Sequence, residues 1–180
     1  MTLAQRIIVY ASWYKGKKEK KGNSGFEDPV FEKEMKGIGW YLQAAWCAFF
    51  TKLLGKKAIE DDSELMKDPA FLKAWLDQAN GSAKQTFDRV KKAGFFETGS
   101  VPEAGCLVIW LLGDGPSGHA GIVESVNTKT NTMYTIEGNT NGSGSREGDQ
   151  VAGKPRTINR EPAPGRLNVY GYIYLRRKKK

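Results

Sequence analysis

The apolar residues of this chain change their period once, between Gly94 and Leu107. Before that stretch they recur at helical spacing; after it they form short runs rich in branched residues, separated by Gly, Asn and Asp. Helices first and strands second predict an α+β domain in which N-terminal helices pack on a C-terminal antiparallel sheet. Leu3, Ile7, Ile8 and Tyr10 or Ala11 make one helical stripe over residues 3–14. Asp28 and Pro29 read as a cap and first-turn proline for a helix through Met35, broken by Gly37 and Gly39. Ala44–Leu54 is the most apolar helical stretch, with Gly55 expected to close it. Asp68-Pro69 opens another helix through Gln78, and Ser82 a further one through Lys92, stopped by Gly94. Strands are expected over 107–112, 120–126 and 133–137 as an antiparallel meander, with two more over 156–159 and 169–175. A Gly/Ser/Asn-rich loop is expected over 138–153.

A chain of 180 residues suits one domain, here 1–175, followed by a basic tail over 176–180. The net charge of +8 comes almost wholly from two runs, Lys15–Lys21 and Arg176–Lys180. Such runs suit anionic polymers, or serve only as solvated ends. No zinc finger or aromatic ribonucleoprotein motif accompanies them, so specific nucleic-acid binding is not expected. No apolar run approaches the ~18 residues of a membrane span. Ile7–Trp13 is too short and too aromatic for a signal peptide, and lacks a small-residue cleavage site. Synthesis in the cytoplasm is therefore expected. Two cysteines, Cys47 and Cys106, are read as free thiols.

Cys47 stands at the start of an apolar helix, where backbone N–H groups and the helix dipole favour a thiolate. A small buried core residue is the competing reading. His119 is the only histidine, so it alone can serve a cysteine nucleophile as an imidazole base. It lies at a strand start in Gly118-His119-Ala120-Gly121, and glycines there let another group approach the ring. Glu137 and Asn139 are two apart, so on an extended strand they point the same way. Either can orient the imidazole, the third role in a triad. Their strand is expected to pair with that of His119 through a turn near Asn127–Asn131.

Three segments in this order, Trp46-Cys47-Ala48-Phe49-Phe50, Gly118-His119-Ala120-Gly121-Ile122-Val123-Glu124 and Thr135-Ile136-Glu137-Gly138-Asn139-Thr140, resemble the CHAP amidase/peptidase family. Members are relatives of the NlpC/P60 enzymes on a papain-like fold, and the resemblance spans roughly residues 25–175. Pro102-Glu103-Ala104-Gly105-Cys106-Leu107-Val108-Ile109-Trp110 is similar to the family's P-x-x-G-D-x-V-x-W stretch. The resemblance implies a peptidoglycan hydrolase that cuts the N-acetylmuramoyl-L-alanine amide or a stem or cross-bridge peptide. It implies Cys47 as nucleophile, His119 as base, and Glu137 with Asn139 as orienting groups. Many members are phage or prophage endolysins admitted to the wall by a holin, so the resemblance implies that this chain acts on the cell wall after holin release, lysis or secretion by another route.

The chain departs from the family pattern in places. Cys106 replaces the usual Asp and is read as an inert thiol. Trp46 precedes the cysteine where many members have Gln, so Gln43 is considered as an oxyanion donor beside the Cys47 N–H. Trp40, Tyr41 and Trp46 either line a substrate groove or pack in the core. Glu27, Asp28, Glu32 and Glu34 do not reproduce the calcium loop of some members, so neither metal nor cofactor is expected. Gly142–Gly148 lacks the spacing of a nucleotide loop. The expected partner is peptidoglycan, with anionic wall polymers at the basic ends, and a monomer is expected. An effector amidase on a non-wall substrate and an inactive wall-binding module are the alternatives.

Overall fold

The N-terminal helices follow from their capping chemistry. In a computed structural model that describes residues 1–22, 24–140 and 148–178, α1 (Leu3–Trp13) opens with a capping box. The Gln5 N–H donates to the Thr2 hydroxyl and the Thr2 N–H to the Gln5 side chain. Asp28 accepts from the N–H groups of Val30 and Phe31, and α2 (Pro29–Gly37) begins on the proline. Such a cap is worth about 1 kcal/mol. α4 (Pro69–Gln78) and α5 (Ala83–Ala93) match their expected spans to within a residue or two, and Gly94 ends α5 at φ +65°.

The central helix differs from expectation at both ends. α3 runs Cys47–Glu60, so residues 44–46 are not helical and Gly55 does not stop it. Gly55 is instead where α3 and α4 touch. A Cβ there would sit 2.4 Å from Trp75 Nε1, whose N–H donates to the Lys52 carbonyl at 3.0 Å. The glycine is needed for close approach, not for a break.

Among the described residues, six strands form one antiparallel sheet in the order β1-β6-β2-β3-β4-β5. They are β1 (Phe96–Gly99), β2 (Leu107–Leu112), β3 (Gly118–Asn127), β4 (Thr132–Thr140), β5 (Gln150–Thr157) and β6 (Leu167–Arg177). The meander holds for β2 to β5; β6 then returns to the far side of β2. β1, a short strand without apolar alternation, was not expected, and β5 begins inside the stretch read as loop. Leu107, Ile109, Ala120, Ile122, Ile136 and Ile173 face the helices in the main core. Alternate residues Val108, Trp110, Val123, Met133 and Tyr172 form a smaller cluster on the other face. This is the α+β, papain-like architecture expected. Residues 141–147, with most of the Gly142–Gly148 run, lie outside the described residues, as do Asn23, Lys179 and Lys180.

Neither basic run is simply an appendage. Residues 16–19 line the edge of β5, where Gly16 N–H donates to the Val151 carbonyl and Val151 N–H to that of Lys17, each at 2.9 Å. Lys15 pairs with Glu124 at 2.8 Å and Lys17 with Asp28. At the other end β6 continues through Arg177, past the boundary drawn at residue 176. Arg176 grips Glu97 and Glu103, and Arg177 pairs with Asp68.

Candidate active site

Cys47 is the first residue of α3, so its backbone N–H is one of the helix's unpaired donors. The residue before it is anchored firmly. Trp46 is fully buried against Phe26, Phe31 and Phe50, and its indole N–H donates to Glu19 at 2.9 Å. Trp40 is buried as well, and its indole N–H closes the turn by donating to the Ala44 carbonyl at 3.0 Å. Both tryptophans therefore belong to the core and line no groove, because their rings fill the space between α2, α3 and the edge segment. The residues of this turn that face solvent are Tyr41, Leu42 and Gln43, the last at φ +69°.

His119 sits near the start of β3, cross-strand from Trp110 of β2, and its ring stacks on the indole at 5.7 Å between centroids and 24° between planes. Its Nε2 lies 2.8 Å from Glu137 Oε2 on the neighbouring β4. With the carboxylate ionised, that ring N–H donates, which leaves Nδ1 for the thiol. The glycines make this approach possible. A Cβ at Gly121 would meet Glu137 Cγ at 2.8 Å, and one at Gly118 the Trp110 carbonyl at 2.4 Å. One at Gly138 would meet the Trp46 ring at 2.6 Å, so this glycine lets β4 pack against the start of α3.

Glu137 has a fully buried carboxylate with every direction occupied. Thr135 Oγ1 donates to Oε1 at 2.6 Å, and Arg156 of β5 donates from Nε to Oε1 at 2.7 Å and from Nη2 to Oε2 at 2.5 Å. Burial works to raise its pKa, but the Arg156 and His119 hydrogen bonds and charges outweigh that and hold it well below the usual carboxylate range. His119 is displaced upward to about 9: burial opposes the charged ring, and the charges and hydrogen bonds of Cys47 and Glu137 overcome it. Cys47 moves the other way. Burial raises the thiol, yet the charge and hydrogen bond of His119, with the N–H groups of Ala120 and Ala48, bring it below its ordinary value. Such a group can hold a thiolate beside an imidazolium at neutral pH.

The CHAP domain family matches residues 34–139, more than half of the chain. The chain belongs to the CHAP domain family. CHAP domains are generally amidases or peptidases, and their substrate is generally peptidoglycan. Comparison with curated proteins and with solved structures gave no match. In this CHAP domain the family match runs from α2 to Asn139 and takes in Cys47, His119 and Glu137, while Arg156 lies beyond it.

Asn139 is not where an extended strand would put it. It takes φ +52°, and the β4–β5 register slips between Glu137 and Thr140, so the alternation breaks at Gly138. Among the described residues its side chain makes no hydrogen bond to His119, and Glu137 alone engages the ring from β4. Cys106 is buried at the foot of β2, pushed up to about 12 by burial. Arg156, Thr135 and Trp110 were not singled out from sequence. Trp110 lay within a recognisable segment, and Thr135 stands two before Glu137. Arg156, however, is 19 residues further on, across the glycine-rich stretch.

No helix among the described residues is long and apolar enough to cross a membrane. Of the acidic residues compared with a calcium loop, Asp28 caps α2 while Glu32 accepts the Phe26 N–H and pairs with Lys36.

Proposed function

We propose that this CHAP domain is a cysteine amidase or endopeptidase that cuts an amide bond of peptidoglycan, with Cys47 as nucleophile and His119 as its proton acceptor. The observation that carries the reading is one imidazole poised between a buried thiol of lowered pKa and a buried, fully hydrogen-bonded carboxylate. The Cys47 thiolate attacks the scissile carbonyl carbon, and the carbonyl π electrons move to its oxygen. The Cys47 backbone N–H at the helix end faces that oxyanion, with the Gln43 side chain as a second donor from the exposed turn. As the C–N bond breaks, the amine leaves with the proton of the imidazolium, giving a thioester. Water then adds with His119 as base, and the acid and free thiol are released. Glu137 fixes the ring tautomer and stabilises its positive charge throughout. Exposed Lys18, Lys20 and Lys21 at the sheet edge supply contacts for anionic wall polymers.

Purified peptidoglycan incubated with the protein should release fragments whose masses show one water added per amide cut. Glycan strands freed of peptide indicate the amidase; shortened or uncrosslinked peptides indicate the endopeptidase. Cys47→Ala should lower the rate by at least about a thousandfold. Activity should decline above about pH 9, where His119 loses its proton and the thiolate its counter-charge. If the native protein releases nothing from peptidoglycan while correctly folded, the substrate assignment is wrong.

A further inference from the structure

Arg156 touches both groups that hold the imidazole. Its guanidinium makes two parallel hydrogen bonds to Glu137, at 2.7 and 2.5 Å, and lies 5.2 Å from the centre of the Trp110 ring. Trp110 in turn stacks on the face of His119, and Glu137 binds its Nε2 edge. We propose that Arg156 is a positioning residue that keeps the Cys47–His119 pair ionised by neutralising and fixing Glu137. The inference rests on the reading of Cys47 and His119 as the reacting pair.

Thiolate, imidazolium, carboxylate and guanidinium follow one another, each beside a charge of opposite sign, and the four sum to zero. The Glu137 side chain is wholly buried and that of Arg156 only 26% exposed, so the charges are weakly screened. Without Arg156 the cluster carries one uncompensated negative charge and Glu137 loses two of its hydrogen bonds. Proton uptake relieves this in either of two places. Protonation of the thiolate discharges the nucleophile directly. Protonation of Glu137 takes the counter-charge from the imidazolium, and the thiolate then loses its own partner. Both routes raise the pH at which the thiolate forms.

Among the described residues, the charged groups bearing on this cluster are Cys47 from α3, His119 from β3, Glu137 from β4, and Arg156 with Lys154 from β5. Lys154 is half-buried and close enough to interact with both Arg156 and Glu137. Among the described residues it is a cation placed to substitute for a lost guanidinium, and the test must control for it.

The deciding measurement is the pH dependence of Cys47 alkylation by iodoacetamide, read by peptide mapping on the full chain, which needs no substrate. Arg156→Met should move the midpoint up by one pH unit or more, which is about tenfold slower labelling below the midpoint. Arg156→Lys should fall between, since it restores charge without the two-pronged grip. Lys154→Met alone should leave the midpoint in place, and added to Arg156→Met should widen the shift. On peptidoglycan, kcat should fall while KM holds. If Arg156→Met does not fold, Arg156→Gln supplies the neutral comparison. A variant that melts earlier but keeps the native midpoint overturns the proposal and leaves Arg156 a purely structural residue. A native protein whose Cys47 titrates like an ordinary thiol overturns the Cys47–His119 reading itself, a distinguishable outcome.

Discussion

Cys47 and Cys106 are both buried, 6% and 3% exposed, and their thiols are displaced in opposite directions. Cys106 lies beside Tyr172 and Tyr174 on the far face of the sheet, and its sulfur accepts a long hydrogen bond from the Glu103 N–H at 3.4 Å. Burial prevails there, and the thiol is pushed up to about 12. Cys47 suffers the same burial but meets His119 and two backbone N–H groups. Burial does not decide what a cysteine can do. It amplifies whatever charge stands next to the sulfur, so a partnered thiol is activated by the surroundings that silence an unpartnered one.

The largest effect should come from taking that partner away. In His119→Ala, Cys47 keeps its burial and its helix end but loses the imidazolium. Its alkylation at pH 7 should drop by about a hundredfold or more, toward the rate of Cys106. Brief low-dose iodoacetamide with peptide mapping of both thiols measures this within one sample. If Cys47 still labels rapidly, the end of α3 suffices for activation, and the contrast between the two sites has been wrongly attributed.

A smaller effect is expected one step further out. Glu137→Gln keeps a hydrogen-bond acceptor but removes the charge, so turnover should fall by about 10- to 100-fold with His119 still present. The fold will not be spared. Arg156 would be left facing a neutral amide, and breaking a buried pair costs about 3–5 kcal/mol. Urea unfolding should therefore accompany the kinetics. Normal turnover in a destabilised protein would mean that Glu137 serves the sheet and not the imidazole.

The sequence showed the α+β division, because the switch from helical to alternating periodicity survives any packing detail. It also held the residues that the structure brings together at His119, since short motifs with glycines at fixed places mark close approach. Four features were out of reach. The true limits of α3 depend on Trp75 lying over Gly55, a contact between residues of separate helices. Trp40 and Trp46 read equally well as groove or core, and only the position of Phe26 and Glu19 decides for the core. Asn139 has the spacing to share a face with Glu137, but a register slip undoes the alternation on which that inference relies. Arg156 carried no local signal at all: its partner Glu137 lies 19 residues earlier in the chain, on the other side of the glycine-rich stretch.

The smallest effect tests the quiet side of the comparison. Glu103 stands next to Cys106, and its charge adds to the upward displacement of that thiol, while its N–H and Arg176 act against it. If neighbouring charge governed Cys106 as it governs Cys47, Glu103→Gln would free the thiol noticeably. Burial is the larger cause, however, and Glu103 is itself an exposed residue whose field is screened by water. Labelling of Cys106 in native conditions should thus change by less than about threefold. The Arg176 pair lost in the variant is exposed, so the midpoint of thermal unfolding should move little, in keeping with about 0–1 kcal/mol for such a contact. A tenfold rise in Cys106 labelling without destabilisation would show that charge, not burial, holds this thiol silent, and that the two cysteines differ in degree instead of kind.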